Sequence, residues 1–160
     1  MHASACESLL PFLKPGSKVL DVGSGSGYLT HVLAELVKPE GTVVGVDHIQ
    51  PLVDMSTANT RKSREGRDLM DNGGIKYIKA DGRLGYLDGG PYDAIHVGAA
   101  AADFHQGLID QLKAPGRLFI PVEEHFMQHI YVIDKNEDGS VTKKKEYGVQ
   151  YVPLTDAPKE

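Results

Sequence analysis

Val19-Leu20-Asp21-Val22-Gly23-Ser24-Gly25-Ser26-Gly27-Tyr28-Leu29 runs from a short apolar stretch through three alternating glycines into a helical pattern. The residues up to Val22 read as a strand. Beyond the glycines, Tyr28, Leu29, Val32, Leu33, Leu36 and Val37 recur at helical spacing until Pro39 and Gly41 end the pattern. Glycine permits the tight turn between strand and helix and lets a ligand approach the backbone. The start of the helix offers N–H groups that lack intrahelical partners. A nucleotide-like ligand is expected at this junction.

Outward from that junction, strand patterns alternate with helical ones. Strands are expected at Lys18 to Val22, Thr42 to Asp47, Ile75 to Lys79, Tyr92 to Val97 and Arg117 to Val122. A helix with Pro51 in its first turn follows the second strand. Phe104, Leu108, Ile109 and Leu112 mark a further helix, stopped by Pro115-Gly116. The polar stretch Arg61 to Gly74 is expected to be a mobile loop. Such alternation predicts an α/β, doubly wound, Rossmann-like sheet. Near the end, His129 to Asp134 and Val141 to Val149 flank Asn136-Glu137-Asp138-Gly139-Ser140, the pattern of an antiparallel hairpin added to that sheet.

The 160 residues fit a single domain, 1–160. The formal charge is −5, and the basic residues are scattered except for Lys143-Lys144-Lys145, which reads as the solvated face of an edge strand. No electrostatic grip on nucleic acid is expected. No apolar run approaches a membrane span and Cys6 has no internal partner, so a cytoplasmic setting without membrane or metal, and a monomer, are the expectations. Cys6 itself reads as a small buried hydrophobe on the first helix.

The loop is Gly-x-Gly-x-Gly with Asp21 inside the strand end, whereas dinucleotide enzymes use Gly-x-Gly-x-x-Gly. This favours S-adenosyl-L-methionine over a nicotinamide cofactor. Asp47, at the tip of the next strand and 20 residues beyond Gly27, is expected to hold ribose hydroxyls, a role that does not exclude capping the helix that follows. Asp81-Gly82 after the third strand could read an adenine edge, or be only a turn. His96, at the end of the fourth strand before Gly98-Ala99-Ala100, is expected to be packed or to position substrate rather than to transfer a proton.

Five segments together resemble the protein-L-isoaspartate O-methyltransferase family: Val19 to Gly27, Gly45 to His48, Asp81 to Tyr86, Pro91 to Ala101, and Tyr151 to Asp156. The first is shared by many enzymes using this methyl donor, while Asp93 to Ala101 and Val152 to Asp156 are specific to the family. The resemblance implies methyl transfer from S-adenosyl-L-methionine to the α-carboxylate of isoaspartyl residues in damaged proteins and peptides. It implies that Asp21, Gly23, Ser24, Gly25, Ser26 and Gly27 face the methionine part of the donor. Asp47 and His48 would face the ribose, Asp81 and Gly82 the adenine, and His2 and Thr155 the donor side. Gly98, Ala99, Ala100, Val152, Pro153 and Leu154, with His96, would line the acceptor peptide. The chain begins at the Met of the family's Ser-Ala-Pro-His-Met-His-Ala block, so the serine treated as the active-site residue would lie upstream of Met1 and no catalytic residue is assigned. Two other readings stay open: another methyl acceptor, such as a small molecule or RNA, and a donor-binding domain of impaired activity.

Overall fold

In the computed structural model, which describes residues 2–102, 105–125 and 127–149, the strands form one seven-stranded sheet in the order β3-β2-β1-β4-β5-β6-β7. β1 (Lys18–Val22), β2 (Thr42–Asp47), β3 (Ile75–Lys79) and β4 (Tyr92–Val97) occupy the expected segments and run parallel. β5 (Leu112–Glu124) continues the parallel set, and β6 (Met127–Lys135) with β7 (Val141–Val149) closes the edge antiparallel. Parallel neighbours need crossovers. These are α2 (Tyr28–Leu36) after β1, α3 (Gln50–Thr60) with α4 (Arg64–Asp71) after β2, and α5 (Gln106–Asp110) after β4. α1 (His2–Leu9) precedes β1.

The inner strands of the sheet are buried on both faces. Val19, Val43, Ala94 and Phe119 meet Leu9 of α1, Leu33 of α2 and Leu69 of α4 on one side. Leu20, Val44, Ile95 and Leu118 meet Leu108 and Ile109 of α5 on the other. Double-sided burial is why the inner strands read as nearly continuous apolar runs. From β1 the chain winds one way to β2 and β3, then returns to place β4 on the opposite side. That reversal opens a crevice beyond the carboxyl ends of β1 and β4, where doubly wound sheets bind ligands.

Three expectations need correction. Arg61 to Gly74 is not a loop throughout, because it contains α4, whose N-cap Ser63 accepts a bond from Gly66 N–H at 3.0 Å. Its polar composition hid the helix, for Leu69 is its one fully apolar anchor in the core. The helix marked by Phe104 to Leu112 is shorter, since α5 ends at Asp110 and Leu112 already pairs with Tyr92 of β4. Phe104 lies outside the described residues. Pro115-Gly116 does not stop a helix but sits inside β5, where the register with β4 shifts between Tyr92 and Ala94. An irregularity of this kind is where a strand tolerates a residue without an N–H.

The lysine run lies on edge strand β7 and is exposed, as expected, with Lys145 bonded to Glu124 at 3.2 Å. Among the described residues, no helix is long and apolar enough to cross a membrane. The α4 cap gives a direct test. Ser63→Ala should lower unfolding stability by about 1 kcal/mol, the usual cost of losing a serine cap. The measurement is a urea titration, in which the midpoint falls at unchanged slope.

Candidate functional site

The glycine loop between β1 and α2 is held from behind by groups that its own sequence does not announce. Gly23 N–H and Ser24 N–H both donate to Val46 O, at 2.8 and 3.1 Å, which ties the first turn to the end of β2. Its later carbonyls face α3 and β3. Ser56 Oγ donates to Gly25 O at 2.6 Å, Asn59 Nδ2 to Ser26 O at 3.1 Å, and the Tyr77 hydroxyl to Gly27 O at 3.2 Å. Gly27 adopts φ +85°, and a Cβ there would lie 2.7 Å from the Tyr77 hydroxyl and 3.1 Å from Ser56 O. Conformation and space both exclude a side chain.

Asp47 follows at the end of β2, 6% exposed. Its carboxylate accepts from Gly25 N–H at 3.2 Å and from Ile49 N–H at 3.4 Å. The N-cap of α3 is Ile49, without a side-chain bond, so the capping alternative for Asp47 gives way to a tie across the glycine loop. His48 Nδ1 stands 4.0 Å from Asp47 Oδ1. Asp81 begins a short 3-10 turn, Gly82–Leu84, and its carboxylate is closed by Arg83, with Nη2 at 2.8 Å and Nε at 3.0 Å. Hydrogen bonding from Arg83 holds the Asp81 carboxyl below the usual carboxylate range, against a smaller opposing effect of burial, and the field of His48 adds to the lowering. The structure therefore gathers Asp47, His48 and Asp81 at the ends of β2 and β3, with Asp81 engaged locally.

Asp21 is 1% exposed, and each of its oxygens meets one partner. Thr30 Oγ1, in the first turn of α2, donates to Oδ2 at 2.7 Å, and His96 Nδ1 lies 2.8 Å from Oδ1. The His96 ring stacks on Phe119 with centroids 5.8 Å apart. These residues form part of one row across the sheet, in which Tyr77, Gly45, Asp21, His96 and Phe119 are successive partners on β3, β2, β1, β4 and β5. The glycine loop lies over that row. Burial pushes the Tyr77 hydroxyl up, partly offset by the Thr60 hydrogen bond, and the Asp21 charge raises it further. Burial likewise raises the half-buried Cys6 thiol, followed by the same charge, which favours the inert reading of that residue.

Asp21, Gly23, Ser24, Gly25, His96 and Gly98 border a cavity of about 140 Å³. Larger hollows of about 390 and 400 Å³ lie against α1 and at the amino ends of β2 and β3, away from this chemistry. Gly98 N–H donates to Val22 O at 2.8 Å, and a Cβ on Gly98 would meet Gly23 O at 3.3 Å, so the two glycines bring the walls together. Ser24 Oγ is buried with no hydrogen-bond partner among the described residues. An open glycine backbone, a polar atom awaiting a partner and two buried carboxylates fit a polar, amine- and hydroxyl-bearing ligand. Ala100 is packed into the core at 2% exposure, while Gly98 and Ala99 are half-buried. Val152, Pro153, Leu154 and Thr155 lie outside the described residues, as does the side chain of His2. Sequence reading missed Thr30, Ser56, Asn59 and Tyr77. The i, i+3 placement of Ser56 and Asn59 on one helix face was the available signal.

Comparison with known proteins bears on the same residues. The family model described as protein-L-isoaspartate(D-aspartate) O-methyltransferase matches residues 1–159. A protein-L-isoaspartate O-methyltransferase of Triticum aestivum is 50% identical over 155 residues, covering 97% of this chain and 66% of that protein. Protein-L-isoaspartate O-methyltransferase 2 of Arabidopsis thaliana is 52% identical over 155 residues, covering 97% of this chain and 50% of the relative. The chain thus spans about half to two thirds of the length of these curated relatives. Among solved structures, a protein-L-isoaspartate O-methyltransferase from Plasmodium falciparum in complex with S-adenosyl-L-homocysteine superposes with TM-score 0.88 at 33% identity, covering 98% of this chain and 74% of that one.

The loop geometry yields a prediction independent of any ligand. Gly27→Ala forces a left-handed alanine against Tyr77 and Ser56, and should cost at least about 1–2 kcal/mol of stability from conformation alone. Chemical denaturation beside Gly107→Ala, where a Cβ meets nothing within 4 Å, provides the comparison.

Proposed function

This chain belongs to the protein-L-isoaspartate(D-aspartate) O-methyltransferase family, and we propose that it transfers a methyl group from S-adenosyl-L-methionine to the α-carboxylate of an isoaspartyl residue in damaged proteins or peptides. The observation that carries the proposal is the cavity between the glycine loop and the Asp21–His96 pair, with Asp47 bonded to Gly25 at its border. When bound, the donor supplies an electrophilic methyl on a sulfonium. Everything else falls to this chain's residues and to the acceptor.

Each carboxylate oxygen has two lone pairs, so Asp47 keeps acceptor capacity after meeting Gly25 and Ile49 and can take hydroxyl donors of a ribose. Asp21 and Ser24 present an anion and a hydroxyl to the cavity, complementary to an amino acid head group. The acceptor carboxylate is already ionised at pH 7, so no residue is required as a base. Sulfonium and carboxylate both lose charge as the methyl moves, so rate depends on alignment and on keeping water out. Gly98 and Ala99 leave little side-chain bulk where an extended peptide could approach, and His96 stays in the packed role that its stacking on Phe119 supports. We also propose a cytosolic monomer, supported by the single cysteine and by a formal charge of −5.

Two measurements test this function. Asp47→Ala should weaken S-adenosyl-L-homocysteine binding by roughly 1–3 kcal/mol, the scale of lost hydrogen bonds to a charged group. Titration calorimetry showing parental affinity in the variant would remove Asp47 from the site. In a radiolabelled methyl assay, an isoaspartyl peptide should be labelled and its aspartyl twin left essentially unlabelled. Equal labelling would overturn the acceptor assignment, and labelling of neither, with donor binding intact, would leave a donor-binding domain.

A further inference from the structure

We propose that His96 and Thr30 are positioning residues that act through Asp21, fixing its carboxylate at the floor of the glycine-loop cavity to receive a ligand ammonium group. The proposal rests on the donor-site reading above but assigns roles that reading does not need. His96 becomes a holder of Asp21 rather than a residue touching the acceptor peptide.

Three observations carry it. A carboxylate can only accept hydrogen bonds, so the 2.8 Å contact with Asp21 Oδ1 requires that His96 carry a proton on Nδ1. The ring is 4% exposed and stacked on Phe119, which fixes the direction of that N–H. His96 Nε2 makes no hydrogen bond among the described residues, and the ring's Cε1 edge lies against Gly98, where a Cβ would meet it at 3.4 Å.

On the opposite side, Thr30 closes Oδ2 from α2 at 2.7 Å. Asp21 lies just before the glycine loop and Thr30 just after it, so their bond joins the loop's two ends, while His96 joins the loop to β4. Each Asp21 oxygen still retains a lone pair after these bonds. The carboxylate is therefore held in one rotamer with acceptor capacity left for the cavity, and a ligand ammonium reaching it there would make a charge-assisted hydrogen bond, stronger than a neutral donor's.

The alternative, in which His96 works through Nε2 on a ligand or peptide, makes an opposite prediction about isosteres. Asparagine places an amide N–H near the Nδ1 position, and glutamine places one near Nε2. Each variant is first checked for folding by circular dichroism, and binding of S-adenosyl-L-homocysteine is then measured by calorimetry on the full chain. His96→Gln should weaken binding at least tenfold, and His96→Asn should recover it to within about threefold of the parent. Thr30→Val should weaken binding, and Thr30→Ser should restore it. In an Asp21→Asn background, His96→Gln should change affinity less than twofold, because its effect passes through the carboxylate. Independently, long-range ¹H–¹⁵N correlation spectra should show the neutral His96 ring protonated on Nδ1.

Recovery by glutamine instead of asparagine, or a His96 effect undiminished by Asp21→Asn, overturns the proposal. Binding by the parent together with an Nε2-protonated ring overturns it while leaving the donor-site reading intact. Absence of binding by a folded parent overturns the donor-site reading, and the proposed role with it.

Discussion

Asp21 sits at 1% exposure on β1, an inner strand of a sheet with an apolar cluster packed on each face. Removing an ionised carboxylate from water costs several kcal/mol, and the arrangement holds only if its lone pairs are met. Thr30 and His96 meet them from a helix and from a neighbouring strand. The need to satisfy one buried anion thereby fixes the entry of α2, the register between β1 and β4, and the loop between. A change that left Asp21 without one partner would expose the cost of the buried charge as well as the loss of one bond.

The same row of residues explains why the loop can consist of glycines without becoming slack. Gly45 leaves room beneath it, since a Cβ there would lie 3.0 Å from the Tyr77 ring and 3.1 Å from Ser24 Cβ. Tyr77, Ser56 and Asn59 then take the loop carbonyls, and Val46 takes two of its N–H groups. Backbone freedom that glycine brings is removed by hydrogen bonds from neighbouring elements. What remains is an ordered wall with little side-chain bulk, which suits a ligand lying along the backbone. The proposed chemistry, alignment of two charged reactants that neutralise each other, is compatible with such a wall and requires no acid or base of the protein.

The inner strands β1, β2 and β4 were legible because burial on both faces leaves little choice of residue, and they fall where the apolar runs placed them, while β3, at the sheet edge, also falls on its expected segment. Helices with broad apolar stripes, such as α2, were legible for the same reason. α4 was not, because its apolar contacts are only Leu69 and the partly buried Met70, its other residues but Gly66 are charged, and a polar stretch between strands reads equally as loop. β5 was read short at its start. Its first residues depend on pairing Leu112 with Tyr92, a contact between segments 20 residues apart that Ala114-Pro115-Gly116 disguises as a break.

The sequence by itself determined the fold class, the strand-to-glycine-to-helix junction and the acids at the strand tips, because each is a local pattern whose physics is complete within a few residues. It also carried enough of the family's blocks to suggest the chemistry. Only the tertiary structure decided what those acids do. It made Asp47 a tie to Gly25, turned Asp81 onto Arg83, and buried Asp21 between Thr30 and His96. The reason is physical: a carboxylate's role depends on which donors reach its lone pairs, and the donors for Asp47 and Asp21 come from segments brought together only when the sheet is wound.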